Sequence, residues 1–334
     1  MPREPQWWYQ SSGLTPAALS PIAAIYGAVA ARRLTSDRAY RSRLPVICVG
    51  NFTAGGSGKT PLTAMLLPLL VARGERPAVL TRGYGGRTHG PHWVDVATDT
   101  AAYVGDEPLL LARLAPTLVA RDRRAGAHQI EDQGRATCIV MDDGLQNAAL
   151  IKDLTIAVVD GARGIGNGYV IPAGPLRAPM AAQGALVDAI VFNGIPHDGL
   201  ASRLADESAA PQITARLEPT GDVSWLAGQK VVAFAGIGHP ARFFALLERL
   251  GAHVVEQVAY PDHAAFTDAD ADQLTVLAAQ HGAQLITTAK DHVRLAGSEK
   301  RAALAHAAKP LPVAMQLDDA APLMRLLDQT FGKP

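Results

Sequence analysis

A short apolar run, Pro45-Val-Ile-Cys-Val49, leads straight into Gly50-Asn-Phe-Thr-Ala-Gly-Gly-Ser-Gly-Lys-Thr60. Leu62, Met65, Leu66 and Leu69 then follow at helical spacing. A strand, a glycine-rich loop, Gly-Lys-Thr and a helix together form the context of a phosphate-binding loop. The glycines let backbone N–H groups close around phosphate oxygens at a helix N-terminus. In such a loop Lys59 would reach the β- and γ-phosphates and the Thr60 hydroxyl would hold Mg²⁺. The pattern G-x-x-x-x-G-K-[ST] asks for glycine at position 53, where this chain has Thr53; Gly55, Gly56 and Gly58 remain. The expected nucleotide contacts are therefore Thr53, Ala54, Gly55, Gly56, Ser57, Gly58, Lys59 and Thr60. A chance glycine-rich turn is the bland alternative, and the flanking strand and helix speak against it.

The alternation continues along the chain. Strand-like runs lie near 46–49, 77–81, 117–120, 137–141, 155–159 and 187–192, with helical stretches such as 59–73, 107–115 and 121–132 between them. That pattern predicts a mostly parallel sheet with helices on both faces. A second block begins near 216, with strands at Lys230–Ala235, Val254–Val258 and Gln284–Thr288 and helices at 240–250 and 268–281. Pro312 suits the start of an edge strand running to Leu317. The expected architecture is α/β: a P-loop NTPase-like core at 36–215, a smaller C-terminal α/β domain at 216–334 closing a cleft, and an N-terminal segment at 1–35. Clefts of this kind hold acceptors away from water.

The chain has 31 basic and 31 acidic side chains in 334 residues, which excludes a globally basic nucleic-acid binder. The balance hides an asymmetry. Arg3, Arg32, Arg33, Arg38, Arg41 and Arg43 face only Glu4 and Asp37 within residues 1–43, and Pro5 to Ala31 carries no charge. Ser20-Pro21 reads as a helix start, and Leu19, Ile22, Ile25, Tyr26 and Val29 recur on one face. A helix over 16–31 would be about 24 Å long, short of the ~30 Å hydrocarbon core. The preferred reading is a helix lying in a membrane interface, with Trp7, Trp8 and Tyr9 at headgroup depth and arginines on anionic lipid. A core-docked helix, a short spanning anchor and a cleaved signal peptide are the competing readings. Cys48 and Cys138 sit in apolar runs and read as buried reduced thiols, not as a disulfide or zinc framework.

An apolar strand ending in aspartate should accompany the phosphate loop. Cys138-Ile-Val-Met-Asp142, followed by Asp143, and Thr155-Ile-Ala-Val-Val-Asp160 both fit; the adjacent carboxylates favour Asp142 as the harder, Mg²⁺-suited oxygen site. Four further stretches are rich in glycine, proline and polar residues: Arg82-Gly-Tyr-Gly-Gly-Arg87, Gly105-Asp-Glu-Pro108, Pro172-Ala-Gly-Pro-Leu-Arg177 and Tyr260-Pro-Asp-His263. Each falls where functional loops sit in open α/β sheets, and each taken singly also reads as a turn.

Taken in order, Gly50-Asn51, Gly55-Gly-Ser-Gly-Lys-Thr-Pro61, Arg82-Gly-Tyr-Gly85, Gly105-Asp-Glu-Pro108, Asp142-Asp-Gly-Leu-Gln146, Pro172–Arg177, Phe234-Ala-Gly-Ile-Gly238, Phe243-Phe244, Asp262-His263, Thr287-Thr288 and Lys290-Asp291 resemble the tetraacyldisaccharide 4′-kinase (lipid A 4′-kinase) family. The resemblance runs from the N-terminal aromatic cluster to Asp291, and the family's loop also lacks the first glycine. It implies transfer of the γ-phosphate of ATP, with Mg²⁺, to the 4′-hydroxyl of a tetraacylated glucosamine disaccharide 1-phosphate. The enzyme would work at the cytoplasmic face of the inner membrane, with the lipid and the membrane surface as partners and no nucleic acid or obligate protein partner. It further implies Asp106 and His263 as a catalytic pair drawn from different domains, and Glu107, Asp142 and Asp143 with Thr60 around the metal. Arg82, Tyr84, Arg123, Gln146 and Arg177 would lie near substrate or phosphate. Asn147 and Ala289 depart from the histidine and glutamate common in the family.

The chemistry is coherent by itself. A sugar hydroxyl is a poor nucleophile, and a carboxylate within hydrogen-bond reach can accept its proton as the P–O bond forms. A histidine bonded to that carboxylate could orient it or relay the proton. Three other functions compete: a membrane-recruited P-loop ATPase or GTPase switch, a small-metabolite kinase and a non-catalytic ATP-binding scaffold. A guanine-reading motif would be matched nearest by Thr288-Ala-Lys-Asp291.

Overall fold

The computed structural model describes residues 4–10, 13–35 and 38–333. The domain boundary expected at residue 36 and the charges of Arg3 and Asp37 lie outside those residues. Thirteen strands are described: β1 (Val46–Gly50), β2 (Pro77–Thr81), β3 (His92–Trp93), β4 (Thr117–Val119), β5 (Cys138–Asp142), β6 (Leu154–Asp160), β7 (Ala189–Asn193), β8 (Gln212–Pro219), β9 (Lys230–Ala235), β10 (His253–Ala259), β11 (Gln284–Thr288), β12 (Lys309–Leu311) and β13 (Val313–Leu317). They form a nine-stranded sheet in the order β13-β8-β7-β6-β1-β5-β2-β4-β3 and a four-stranded sheet in the order β10-β9-β11-β12.

In the large sheet only the two edges are antiparallel, β3 on β4 and β13 on β8. Its central strands β1, β2, β5 and β6 are buried along their whole length. This is why they read as unbroken Val/Ile/Leu runs rather than alternating ones. Leu62, Leu66, Leu67 and Leu70 of the helix Lys59–Ala72 pack on Ile47, Val49, Val140 and Ile156. At about 1.5–3 kcal/mol per buried leucine, that face fixes the helix on the sheet. β1 is flanked by β5 on one side and β6 on the other. The chain order reverses there, and in open α/β sheets ligands bind outside the carboxyl ends of strands at such a point.

The smaller domain is built on β9, whose Val231, Val232, Ala233 and Phe234 are fully buried. Phe243, Phe244, Leu246 and Leu247 of the helix Pro240–Arg249 cover one face, and Phe266 and Leu274 the other. The expected strands of both blocks are present. Three more, β3, β8 and β12, carry too little signal to read from the residues. β3 and β12 are two and three residues long, and β8 mixes charged and apolar residues because only part of it is buried.

The expected division at 216–334 needs correcting. β8 carries the chain to Pro219 within the large sheet, and β13 returns to pair with it antiparallel. Pro312 stands between β12, an edge of the small sheet, and β13, an edge of the large one. Leu323 and Leu327 of the helix Ala321–Phe331 then join the large core. The smaller domain is thus an insertion, tied to the large sheet by two crossings at 220–229 and 312.

The N-terminal helix also differs from expectation. It runs Leu14–Leu34, with Pro21 inside it and not at its start. Its 21 residues make it about 31 Å long. Pro16, Ala23, Gly27 and Leu34 face the protein, and Gly27 lies against Val170 and Pro179. Leu14, Ile22, Ile25, Tyr26 and Val29 face outward, with Ile25 70% exposed. Apart from Leu34 the docked residues are small, and the other large apolar residues face away, which inverts the usual amphipathic helix. Cys48 and Cys138 are buried and free, as expected.

Candidate active site

The phosphate loop closes over the carboxyl end of β1. Gly58 has φ +106° and a Cβ there would meet the Asn193 side chain at 2.7 Å, so only glycine fits. Asn193, at the end of β7, donates to the Ser57 carbonyl at 3.1 Å and holds the loop from the neighbouring strand. Thr53, at the anomalous position, presents its carbonyl to Arg177 Nε at 2.9 Å. Arg177 reaches on to Asp143 Oδ1 at 3.1 Å, and Lys59 Nζ stands 3.8 Å from the same oxygen. Thr60 lies in the first turn of the helix behind the loop.

Asp142, the last residue of β5, is fully buried. Its Oδ1 accepts from Thr63 at 2.8 Å, while its Oδ2 has no partner. Burial, with Glu107 and Asp143 nearby, pushes this carboxyl up to about 7. Asp143 goes the other way: burial is outweighed by Lys59, Arg177 and Arg123, which hold it below the usual carboxylate range. It adopts φ 53°, one of two non-glycine residues in the left-handed region among those described. An orphaned buried oxygen close to Glu107 and Asp143 fits a divalent cation. Among the described residues no cluster of three or more His, Cys, Asp or Glu is set to hold one unaided, as suits Mg²⁺ that takes most of its oxygens from phosphates and water.

The other expected residues divide. Arg123 is buried, directed at the Ala120 and Asp142 carbonyls, and so braces the strand behind the carboxylates. Gln146 donates to the Asn51 carbonyl and to Gln183, both at 2.7 Å. Arg82 and Tyr84 are exposed on their glycine loop. Tyr84 presents an edge to the His263 ring at 5.1 Å between centroids. Asn147 accepts from Ala149 within its own turn, and Ala289 opens the helix Ala289–His292.

Asp106 and His263, 157 residues apart, meet across the cleft: Nδ1 lies 3.0 Å from Oδ2. His263 is the second non-glycine residue with positive φ, at 57°. Strain of this kind collects where a side chain must be aimed. Asp106 starts a helix and is 3% exposed. Burial would raise its pKa, but the His263 hydrogen bond and the charges of Lys290 and Arg294 lower it to about 2. Two of these partners escaped the sequence reading. Lys290 enters from sequence only through the Lys290-Asp291 motif, and Arg294 falls in no motif. Arg294 Nε lies 3.1 Å from Asp106 Oδ2 while another of its nitrogens contacts Asp291 at 3.1 Å. A Lys-x-x-x-Arg spacing on one helical turn was the available signal.

A second bridge spans the cleft. Arg242 clasps Asp160 with contacts of 2.7 and 2.8 Å. Arg163, near that bridge, contacts Glu4 at 2.6 Å and stacks on Tyr9, so the N-terminal segment joins the same cluster. Gly238 of the smaller domain faces Gly56 of the loop. Asp291, which a guanine-reading motif would need open, is fully buried, accepting from Gly236 N–H at 2.9 Å.

A phosphate cradle alone would suit a switch or an ATPase. Here a second domain sets His263 against Asp106 of the large domain in the same cleft, and a phosphate cradle beside a carboxylate able to take a hydroxyl proton is the equipment of a P-loop phosphotransferase. A tetraacyldisaccharide-1-P 4′-kinase (LpxK) family model matches residues 15–332, and the chain belongs to that family. It is 46% identical over 320 residues to the tetraacyldisaccharide 4′-kinase of Rhodopseudomonas palustris (strain BisB18), covering 95% of this chain and 93% of that one. It is 48% identical over 317 residues to a tetraacyldisaccharide 4′-kinase of Methylorubrum extorquens, covering 94% of each. The crystal structure of LpxK from Aquifex aeolicus in complex with ATP superimposes with a TM-score of 0.76 at 25% identity, over 95% of this chain and 100% of that one.

Proposed function

We propose that this chain transfers the γ-phosphate of ATP to the 4′-hydroxyl of tetraacyldisaccharide 1-phosphate, giving the 1,4′-bisphosphate precursor of lipid A. The observation that carries the reading is the Asp106–His263 pair held at 3.0 Å in the same cleft as the glycine loop. The loop from Thr53 to Thr60 binds the phosphates, and Lys59 neutralises charge that gathers on the transferring group. Arg177 anchors the loop and presents one side to phosphate. Asp142, Asp143, Glu107 and Thr60 would hold Mg²⁺, which supplies charge neutralisation between the phosphates when bound. Asp106 accepts the proton of the 4′-hydroxyl as the new P–O bond forms. The Asp106–His263 and Asp160–Arg242 bridges hold the two domains together across the cleft.

The membrane side follows from the helix Leu14–Leu34. Only Pro16, Ala23, Gly27 and Leu34 of its 21 residues are buried, so most of the helix stands clear of the protein, and its outward face of large apolar residues lies in the interface with Arg32 and Arg33 at one end. We place the enzyme at the cytoplasmic face of the inner membrane, where ATP and an anionic lipid surface are both within reach. Transfer of label from γ-labelled ATP to the tetraacyl disaccharide 1-phosphate in detergent micelles tests the reaction. Label in a lipid bisphosphate is expected. ATP hydrolysis indifferent to the lipid would overturn the reading.

A further inference from the structure

One guanidinium joins three parts of the molecule. Arg163 follows the end of β6 by three residues. Asp160 Oδ1, at that end, accepts from the backbone N–H groups of Ala162 and Arg163, both at 3.0 Å. This turn fixes where the Arg163 side chain starts. Its Nη1 lies 2.6 Å from Glu4 Oε2 and 2.9 Å from His239 Nε2. A guanidinium has five donors and no acceptor, so the Glu4 carboxylate and the His239 nitrogen both accept. Its central carbon also sits 3.8 Å from the centre of the Tyr9 ring. Arg163 belongs to the large domain, Glu4 and Tyr9 to the N-terminal segment and His239 to the smaller domain.

The N-terminal segment is itself fastened to the phosphate loop by two routes. The first is Glu4. Tyr9 donates its hydroxyl to Glu4 Oε2 at 3.0 Å, and the other oxygen, Oε1, lies where a Cβ on Gly55 would stand. The bare glycine is what lets the carboxylate rest on the loop. The second route runs through the chain from Gly161 to Arg177. Asn167 N–H donates to the Trp8 carbonyl at 2.8 Å, and the Trp8 indole N–H donates to the Pro172 carbonyl at 3.1 Å. The same stretch then takes Ala54 N–H on the Pro175 carbonyl at 2.8 Å and gives Arg177 N–H to the Phe52 carbonyl at 2.9 Å. The turn Gln6–Tyr9, residues 161–177 and the phosphate loop are thus one bonded layer. The smaller domain meets that layer at Arg163 through His239 and at Asp160 through Arg242.

We propose that Arg163 is a positioning residue for phosphoryl transfer, set by Glu4: with the N-terminal segment seated, its guanidinium holds the smaller domain closed over the phosphate loop. The inference rests on the kinase reading given above, in which the closed cleft is the productive arrangement. Arg163 acts through His239 and the Asp160 turn, not on the reacting atoms. Glu4 and Tyr9 hold the guanidinium from one side, so that its remaining donor is aimed at His239; a planar, stacked and paired arginine loses little further freedom in making that bond. Without Glu4 the side chain is free to turn to solvent, and the smaller domain keeps only the Arg242 clasp on this side of the cleft. Seating of the N-terminal segment and closure of the cleft are then two halves of one equilibrium, and each favours the other.

Closure and turnover are read separately on the full-length enzyme. Spin labels on Ala205→Cys, exposed on the helix Leu200–Ala205, and Ala245→Cys, exposed on the helix Pro240–Arg249, report the separation of the two domains; Cys48 and Cys138 are fully buried. With a non-hydrolysable ATP analogue bound, Glu4→Gln and Arg163→Met are both expected to shift the distance distribution to longer and broader separations. At saturating ATP and lipid acceptor, kcat is expected to fall about threefold in Glu4→Gln and about tenfold in Arg163→Met. The double variant should be no slower than Arg163→Met alone, because Glu4 acts only through the arginine. Arg163→Lys should fall between wild type and Arg163→Met, keeping the charge and losing the stacked fork. Wild-type distances in both single variants overturn the proposal, as does a double variant about thirtyfold slow, the product of independent effects. Faster turnover in Glu4→Gln also overturns it, since Glu4 would then be a brake on the loop. Should Arg163→Met fail to fold, the isosteric Glu4→Gln decides alone by its distances. A wild-type enzyme that labels no lipid sinks the kinase reading, while the distances still judge the joint.

Discussion

The wall of the cleft that carries the phosphate loop comes from one contiguous strand, loop and helix, with β5 beside it. The facing wall is assembled from pieces. Asp106 opens a short helix of the large domain, His263 sits in a loop after β10, and Lys290 and Arg294 follow β11. Local chain geometry shapes the first wall, because a glycine at φ +106° and a helix N-terminus suffice to form a cradle. The second exists only when two domains dock. A phosphate site of this kind can form from one stretch of chain, whereas the Asp106–His263 contact forms only when the two domains dock; on the proposed function, that would tie catalysis to a closed cleft.

Breaking the contiguous wall should cost most. Lys59→Ala is expected to lower kcat/KM about a thousandfold or more, since charge stabilisation supplies most of phosphoryl transfer; steady-state assays with the lipid acceptor check it. Asp106→Ala should lower kcat roughly a hundredfold while leaving nucleotide affinity near wild type, measured by titration with a fluorescent ATP analogue. The contrast between these two variants, one losing turnover and phosphate binding together and the other turnover alone, is the sharpest form of the comparison. Arg242→Ala removes the second bridge without touching the phosphate loop. It should lower kcat about tenfold and leave ATP binding unchanged; an equal loss of ATP affinity would show that the two walls are not independent.

Smaller effects probe the edges of the comparison. Ile22→Ser with Ile25→Ser should weaken sedimentation with anionic vesicles by about tenfold and leave turnover in micelles nearly intact. Undiminished vesicle binding would put the membrane contact elsewhere. Acid stability reads the docked wall directly. Asp106 has a folded pKa of about 2, below the ordinary carboxylate value. Its contribution is therefore complete above the unfolded pKa of about 4 and disappears as pH falls through about 2. Asp106→Asn should flatten the acid limb of a urea-midpoint profile between those values, and an unchanged limb would mean that the carboxylate does not couple the domains.

Much of this was legible in the residues. β1, the loop and its helix follow from apolar runs and glycine spacing, and the order of motifs carried the family. The departures have physical causes. Nothing in 16–31 shows that the N-terminal helix continues to Leu34, because Arg32 and Arg33 break an uncharged pattern without breaking a helix. The split at 216 failed because β8 is only partly buried, so its mixed composition looks like linker, and because nothing local shows that β13 pairs with it in the large sheet. Arg123, which the family resemblance puts near substrate or phosphate, is buried against the Ala120 and Asp142 carbonyls.

Sequence by itself determined the parallel core, the phosphate cradle and the apolar N-terminal helix, since each depends on periodicity or on contacts between near neighbours. Tertiary structure alone decided that Asp106 meets His263, that Lys290 stands beside His263, that Arg294 shares the Asp106 carboxylate, and that, Leu34 apart, the small residues of the N-terminal helix are the docked ones. Those contacts join residues up to 188 positions apart. No local pattern encodes them, because hydrogen bonds across a cleft depend on how two cores pack and not on the spacing of residues within either.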